Sequence, residues 1–257
     1  MTVRVSVLAA SLMLVAAAGC APRGRRGGPT GPVVVVPFAA RVQVRVDAWA
    51  RLSTATEGRT VESRAAADVP VLIRTIFDEG IPPGPVDVVF VVDTTGSMID
   101  DVDAVKRDMR TILAHLRERN PDYQVGIVAY RDVNDDYLTR TFAMLTRDDA
   151  IVEAALAAIE VTGGDDWREH VYAGIHTALR LQPWRPHASQ HIMLMGDAPP
   201  HDDYVNDPRT FASVTAEARS SGLHVRIHTV GIKCDRSCED ALAAEERERA
   251  QQGRVIP

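Results

Sequence analysis

The chain lacks an excess of positive charge and internal repeats, and each absence excludes a class of protein. It has 257 residues, with 29 Lys and Arg against 35 Asp and Glu, so its net charge is −6. Because nucleic-acid binding favours a clustered basic face, we do not expect a nucleic-acid partner. The absence of repeats excludes a repeat array. With 46% hydrophobic residues, the composition is that of a globular protein with room for one α/β domain plus extras.

The chain also lacks an apolar run long enough to be a convincing transmembrane helix. Its N-terminus has one positive charge within residues 1–4, an apolar stretch over 5–18, and small residues before Cys20. This pattern predicts a secretory signal over residues 1–19. It resembles a bacterial lipoprotein signal, with Ala17 in place of the usual Leu, which implies that Cys20 carries a lipid. A plain signal peptide on a secreted protein is the alternative.

The lipoprotein resemblance implies a lipid-anchored protein of the bacterial cell envelope, and Ala21 after the cysteine points to the outer membrane. Residues 20–32 are rich in Arg, Gly and Pro, which predicts a flexible tether.

Cysteine is scarce, with three in the chain. If Cys20 is lipidated, Cys234 and Cys238 are left as a local pair. In an oxidising compartment we expect a disulfide between them, with free thiols or a metal site as alternatives.

Residues 33–85 precede the main domain. The alternation over 41–47 predicts a half-buried strand, and 69–77 is a second strand candidate, so we expect a small strand-rich extension. The prolines within 81–85 mark its end, since consecutive prolines cannot continue a sheet ladder.

From residue 86 onward, strand and helix patterns alternate. This alternation predicts a doubly wound α/β domain over 86–257, with a mostly parallel sheet and helices on both faces. A short acidic connection before 138–145 predicts an antiparallel edge strand there. The other expected strands are 86–92, 123–130, 191–196, 223–232 and 255–256, and the expected helices are 98–119, 148–160, 167–181, 208–221 and 238–251.

An oxygen-rich loop follows the buried strand 86–92. Asp93, Thr95 and Ser97 alternate along this turn, so one carboxylate and two hydroxyls can converge, and Gly96 allows the backbone to bend between them. Such hard oxygen ligands suit Mg²⁺ or another hard divalent cation. The alternative is a polar loop in which Ser97 caps the next helix.

Two further loops bring acids to the same edge, because ligands of parallel sheets gather outside the carboxyl ends of the strands. One is Gly163-Gly164-Asp165-Asp166, and the other contains Asp197 after the strand 191–196. For Asp165 and Asp166, capping of the following helix is the alternative.

The pattern D-x-[ST]-x-S after a buried strand resembles the metal-ion-dependent adhesion site of von Willebrand factor A (vWA) domains, a Rossmann-like family, over roughly residues 86–257. This resemblance implies that Mg²⁺, or Mn²⁺ or Ca²⁺, is surrounded by Asp93, Thr95, Ser97, Asp165 and Asp197. Thr95 replaces the family's usual Ser and keeps the hydroxyl. Asp165 stands where the family commonly has a Thr. A third carboxylate would bind the cation more strongly but leave less positive charge for an acidic ligand. Whether Asp165 acts through water, or Asp166 lies closer, stays open.

Several residues are candidates for the rim of the site. Asp132, after Tyr130-Arg131, resembles a recurrent turn of bacterial vWA domains and would orient water or the metal loops; we favour the alternative that Asp132, Asp135 and Asp136 form a solvated acidic loop. Asp166 is a second rim candidate. His201 would shape the ligand rim or lie exposed without a binding role.

The resemblance implies a binding module of the cell envelope, not an enzyme, in which the cation accepts an acidic side chain of a protein partner. A metal-dependent hydrolase or phosphotransferase is one alternative. Against it, Ser97 lacks the G-x-S-x-G surroundings, and Thr95 stands where aspartyl phosphotransferases have a second acid. A scaffold that works without metal is the other alternative.

Overall fold

Six strands form a single sheet in the computed structural model, which describes residues 38–164, 168–201, 204, 206–220 and 222–232. The strands are β1 (Thr60–Glu62), β2 (Val86–Asp93), β3 (Tyr123–Tyr130), β4 (Thr139–Thr146), β5 (Ser189–Gly196) and β6 (Val225–Gly231). Their order across the sheet is β1-β6-β5-β2-β3-β4. All neighbours are parallel except β3 and β4, which are antiparallel. The predicted mostly parallel sheet with an antiparallel edge is therefore confirmed.

Helices cover both faces of this sheet. They are α1 (Phe38–Ala55), α2 (Val69–Gly80), α3 (Ile99–Arg119), α4 (Asp149–Ala157), α5 (Val171–Leu181) and α6 (Phe211–Ala218). Side chains of α2, α3 and α4 share one core layer with Val88 and Phe90 of β2. Side chains of α1, α5 and α6 share the other layer with Val89 and Val91. Because alternate residues of one strand serve opposite layers, β2 is apolar along most of its length. The doubly wound architecture is confirmed.

Local sequence signals set several helix ends. Asp148 precedes α4, and its side chain accepts a hydrogen bond from the backbone of Ala150 at 3.0 Å. Thr210 and Ser213 form a reciprocal capping box at the start of α6. Helix α3 has acidic residues in its first turn and arginines in its last, which suits the helix dipole.

The strands expected before residue 85 are wrong, because both segments are helical. In α2 the buried residues Val69, Ile73, Ile76 and Phe77 follow a helical spacing, although a run of β-branched residues favoured a strand. In α1 the buried side chains Arg45, Trp49, Leu52 and Ser53 again follow a helical spacing. The extension is therefore mostly helical, with β1 as its short strand.

The extension joins the same sheet as the rest of the domain. Strand β1 pairs in parallel with β6, and the backbone of Gly58 approaches the carbonyl of Ile227 so closely that a Cβ at this position would collide with it. The first strand in the chain thus fills the sheet edge beside the last described strand. Helices α1 and α2 belong to the two core layers, so the segment before the predicted boundary at residue 85 has no hydrophobic core of its own.

Other predictions fall outside the described residues: the signal over 1–19, lipidation of Cys20, the tether over 20–32, the Cys234–Cys238 disulfide, and the final helix and strand. Among the residues that the structure does describe, no helix has the length and apolar character needed to cross a membrane.

Two histidines pair inside the sheet, one on β5 and one on β6. The backbone N–H of Arg59 donates to His228 Nδ1 at 3.1 Å, so the ring proton of His228 lies on Nε2, which is 2.9 Å from His191 Nδ1. Burial lowers the pKa of His191 well below its usual value, and the charge of His228 lowers it further. Burial also lowers the pKa of His228 to about 4, together with the charges of Arg226 and Arg59. Both rings are therefore neutral in the folded protein near pH 7.

We expect the free energy of unfolding to decrease as the pH falls from about 6.5 toward 4. In this range the two histidines bind protons in the unfolded chain but stay neutral in the folded protein. Both folded pKa values lie below the unfolded value, so the contribution is present above pH 6.5 and is lost on acidification. Urea unfolding at pH 7.5, 5.5 and 4.5 measures it. His228→Gln should show a shallower loss than the wild type, and His224→Gln serves as control. Equal pH slopes for wild type and His228→Gln would contradict the assignment.

Candidate metal centre at the carboxyl edge of the sheet

The loop after β2 begins with a fully buried carboxylate. Asp93 Oδ1 accepts hydrogen bonds from the backbone N–H and the hydroxyl of Thr95, at 3.0 and 2.7 Å. Asp93 Oδ2 is also buried and has no hydrogen bond of good geometry from the described residues, although the nearby Tyr130 hydroxyl lowers the pKa of Asp93 against the larger effect of burial. Buried polar atoms are nearly always paired, so this oxygen marks a place for a further group. Ser97 is not the cap of α3, because Met98 occupies that position.

A second carboxylate, Asp197, follows β5 beside the first. Burial raises the pKa of Asp93 to about 8, and the charge of Asp197 raises it further, against the hydrogen bonds from Thr95. Burial raises the pKa of Asp197 as well, while its hydrogen bond with Ser97 and the charge of Arg45 lower it. Burial and mutual repulsion disfavour the state in which both acids are ionised, so a proton or a bound cation stabilises the pair. The structure thus brings Asp93, Thr95, Ser97 and Asp197 together, as the sequence predicted.

A close approach of two strand ends makes this proximity possible. A Cβ on Gly196, the last residue of β5, would lie 2.5 Å from the Tyr130 hydroxyl and 3.1 Å from Asp93 Oδ2. Burial raises the pKa of Tyr130 well above its usual value, and the charges of Asp93, Glu169 and Asp197 raise it further. Glycine at 196 therefore lets the end of β5 pack against Asp93 and the Tyr130 hydroxyl.

The predicted glycine loop is hydrogen bonded to the first loop. The backbone N–H of Gly96 donates to Gly163 O at 3.0 Å, and that of Thr162 donates to Thr94 O at 3.1 Å. Gly163 and Gly164 have φ values of +84° and +88°, which favour glycine. Asp165 and Asp166 follow directly but lie outside the described residues. Their roles as ligand or rim residue stay predictions. The alternative that they cap the following helix is wrong, because α5 begins at Val171 and His170 occupies its N-cap position.

A third buried acid, Glu169, was missed by the sequence analysis. Its side chain is almost fully buried, and its Oε1 lies 3.6 Å from the position that a Cβ on Gly164 would take. Backbone hydrogen bonds hold it in place, from Glu169 N–H to Pro199 O and from His201 N–H to Glu169 O, both 3.2 Å long. One acid shortly before a helix is too common a pattern to be singled out, so its sequence signal was weak.

The acidic loop after β3 is only partly solvated. Asp136 is 87% exposed, as expected of a solvated loop. Asp132 is buried and accepts a hydrogen bond from the Tyr204 hydroxyl. Asp135 accepts hydrogen bonds from the backbone N–H groups of Asp132 and Gly164, both at 3.2 Å. The preference for a solvated loop is therefore wrong for the buried Asp132, which is hydrogen bonded to Tyr204. Asp135 is half-buried and connects the loop after β3 to the glycine loop.

His201 is packed inside the protein, so the exposed alternative is wrong. Its ring lies 4.2 Å from that of Tyr204, which in turn stacks on His170 at 4.7 Å. His170 Nε2 lies 2.7 Å from the Asp207 carboxylate. This cluster fixes the connection after β5, which begins with Asp197.

The donor set at this edge consists of hard oxygens, which fit Mg²⁺, Mn²⁺ or Ca²⁺. Among the described ranges, no three His, Cys, Asp or Glu side chains converge closely enough to hold a metal by themselves. The hydroxyls of Thr95 and Ser97 would add oxygen ligands to those of the Asp93 and Asp197 carboxylates. The orphaned Asp93 Oδ2 beside a second carboxylate is the observation that fits a cation.

The fold and the site together define a doubly wound α/β domain with an acidic, hydroxyl-bearing loop at its switch point, where β2 has β3 on one side and β5 on the other. A family model described as the von Willebrand factor A domain matches residues 87–251. The chain belongs to this family, whose domains are generally binding or adhesion modules.

Known proteins with similarity to this chain cover between 45% and 62% of it. The alpha-protein kinase vwkA of Dictyostelium discoideum is 26% identical over 118 residues, which are 45% of this chain and 19% of that protein. The chain therefore spans about a fifth of that relative. Two solved structures are similar in fold. The SpRpn10 VWA domain is 17% identical with a TM-score of 0.41, over 62% of this chain and 94% of that one. The pilus adhesin SpaC of Lactobacillus rhamnosus GG is 18% identical with a TM-score of 0.36, over 48% of this chain and 17% of that one.

Proposed function

We propose that this vWA domain binds a divalent cation and uses it to hold an acidic side chain of a protein partner. Asp93, Thr95, Ser97 and Asp197 would hold the cation, with Asp165 as the predicted fifth ligand and Glu169 as a further acid at the site. The bound cation would supply a positive centre for a carboxylate of the partner. The observation that carries this proposal is the buried Asp93 Oδ2, which has no hydrogen bond of good geometry from the described residues and lies beside the carboxylate of Asp197.

The charge balance of the site supports a cation more than a neutral site. Asp93 and Asp197 repel each other at the ends of adjacent parallel strands, and burial disfavours the ionised form of both, which raises the pKa of each. A divalent cation would remove this repulsion and give Asp93 Oδ2 a partner. The hydroxyls of Thr95 and Ser97 already hydrogen bond to the two carboxylates, so the donors are preorganised.

We infer a binding role without a catalytic step. Ser97 hydrogen bonds to a carboxylate, Asp197, and not to an imidazole that would activate it as a nucleophile. The kinase relative is matched over only 19% of its length, so its activity gives no support for catalysis here. No specific observation at the described part of the site therefore favours a hydrolase or a phosphotransferase.

We further propose that the domain works in the bacterial cell envelope, anchored to the outer membrane by a lipid on Cys20. The signal-like N-terminus and the net charge of −6 support a protein outside the cytoplasm that has no nucleic-acid partner. A Cys234–Cys238 disulfide would suit the same oxidising compartment.

Capture of partners from an envelope extract, with and without EDTA, tests the proposal. We expect the immobilised chain to retain a partner in Mg²⁺, and EDTA or Asp197→Ala to reduce capture by more than about tenfold, as expected for loss of a metal-dependent contact. Asp103→Ala is the matched control, because this acid is exposed on α3 and 3.7 Å from Lys106.

Calorimetric titration of the wild type with Mg²⁺ and Mn²⁺ completes the test. Absence of binding heat, or capture that is unchanged by EDTA and by Asp197→Ala, would contradict the cation-dependent proposal. Capture without any bound cation would instead support a metal-free scaffold.

A further inference from the structure

A buried arginine of the N-terminal extension lies behind the candidate metal centre. The Arg45 side chain on α1 is 2% exposed and forms two hydrogen bonds with the carboxylate of Glu62 on β1, of 2.6 and 3.3 Å. Glu62 is 35% exposed, so only one of the two charges is removed from water. This Arg45–Glu62 pair connects α1 with the edge strand of the sheet.

The pair lies directly against the end of β6. A Cβ on Gly231 would collide with both the Arg45 guanidinium and the Glu62 carboxylate. The backbone N–H of Ser63, next to Glu62, also donates to Gly231 O at 2.8 Å. A residue without a side chain is thus required at position 231, because a Cβ there would overlap the Arg45–Glu62 pair.

One further strand separates this contact from the cation site. Gly231 pairs with Gly196 in the register of β5 and β6, and the backbone N–H of Ile232 donates to Gly196 O at 2.9 Å. Gly196 immediately precedes Asp197. The Arg45 guanidinium, which packs against Gly231, therefore lies one strand away from the residue before Asp197.

We propose that the Arg45–Glu62 pair is a positioning element that sets the cation affinity of the Asp93–Asp197 site. This inference rests on the proposed cation-binding function. A fixed positive charge behind Asp197 repels a divalent cation, and Glu62 compensates that charge. The pair also packs against Gly231 at the end of β6, the strand that pairs with β5 beside the metal loop. The extension would therefore tune the site even though it supplies no ligand to it.

The charge argument predicts effects of opposite sign for the two partners. In Glu62→Gln the guanidinium of Arg45 loses its compensating charge, and we expect the Kd for Mg²⁺ and Mn²⁺ to rise about threefold to tenfold. In Arg45→Met the repelling charge is gone while Glu62 stays hydrated, and the Kd should fall by a similar factor. The double variant, which removes both charges, should return to within about twofold of the wild type.

Calorimetric titration of the full chain and these variants is the experiment. Glu79→Gln is the control, because Glu79 pairs with Arg59 on the exposed surface and should leave the Kd unchanged. Arg45→Lys keeps the charge and should keep a Kd near that of the wild type. If Arg45→Met does not fold, Glu62→Gln and Arg45→Lys decide, since only the first should weaken binding.

The possible outcomes separate this inference from the function it rests on. A wild type that binds neither cation overturns both. A wild type that binds, with single variants that both weaken binding or leave it unchanged, overturns the tuning role of the pair alone. Opposite shifts of the Kd in the two single variants support it, because loss of structure would weaken binding in both.

Discussion

Replacing Asp93 by Asn is expected to abolish cation binding and, at the same time, to stabilise the cation-free protein. The amide keeps an oxygen that can accept the two hydrogen bonds from Thr95. The substitution removes the negative charge that binds the cation, so we expect the affinity for Mg²⁺ to fall by more than about a hundredfold. This loss exceeds the one that follows when a residue that only supports a metal ligand is changed. The substitution also removes a buried carboxylate whose Oδ2 has no hydrogen bond of good geometry from the described residues.

The expected gain in the free energy of unfolding is about 1–3 kcal/mol at pH 7, the usual cost of a buried polar group without a partner. The sign follows from the pKa of Asp93, which burial raises from 3.8 to about 8 in the folded protein. The unfolded chain therefore releases its proton first, and the wild type loses stability as the pH rises between these values. The gain in Asp93→Asn should accordingly vanish near pH 4.

Urea unfolding in EDTA at pH 7 and pH 4, with calorimetric titration of Mg²⁺, measures both effects. Asp108→Asn, an exposed acid on α3, is the matched control and should change neither. A destabilised Asp93→Asn protein that still binds Mg²⁺ would show that Asp93 is a structural acid. Added Mg²⁺ should reverse the ranking, because it stabilises only a protein that binds it.

Replacing Arg185 by Met is expected to cost about 3–5 kcal/mol of stability, because it leaves a fully buried carboxylate without its charged partner. The carboxylate belongs to Asp87, near the start of β2, which accepts hydrogen bonds from the Nε and the backbone N–H of Arg185 at 2.8 and 2.7 Å. Arg185 also donates to the backbone carbonyl of Val86 at 2.8 Å and forms an ion pair with Asp122. One side chain thus anchors the amino ends of the central strands.

Guanidinium unfolding at pH 7 measures this loss. Arg110→Met is the control, because Arg110 is 85% exposed in its ion pair with Glu153 and should change stability by less than about 1 kcal/mol. The double variant Asp87→Asn with Arg185→Met should recover part of the loss, since it no longer buries a lone charge. Equal effects of Arg185→Met and Arg110→Met would contradict a role for the buried pair.

Local patterns were sufficient where one segment carried the whole signal. The run before Asp93 is apolar on both faces, because β2 contributes to both core layers, and it ends in a polar turn. The positions of Asp93 and Asp197 at one edge followed from the parallel sheet alone. The antiparallel edge strand followed from the short connection between β3 and β4.

Local patterns failed in the extension. Alternating residues over 41–47 and β-branched residues over 69–77 both favour strands, yet both segments are helices. Trp49 and Leu52 pack into one core layer, and Ile73 and Phe77 pack into the other. Burial against the sheet outweighed the local preference, since tertiary packing supplies most of the stability of a helix.

The sequence by itself determined the α/β class, the loop of Asp93, Thr95 and Ser97, and the place of Asp197, because each depends on residues that are close together in the chain. Only the tertiary structure decided which distant residues meet there. Glu169 reaches the site through a loop contact, and His191 meets His228 across two strands. Arg45 packs against Gly231, one strand from the Asp197 loop, because β1 occupies the edge beside β6. Such contacts depend on strand order and register, which no local pattern encodes.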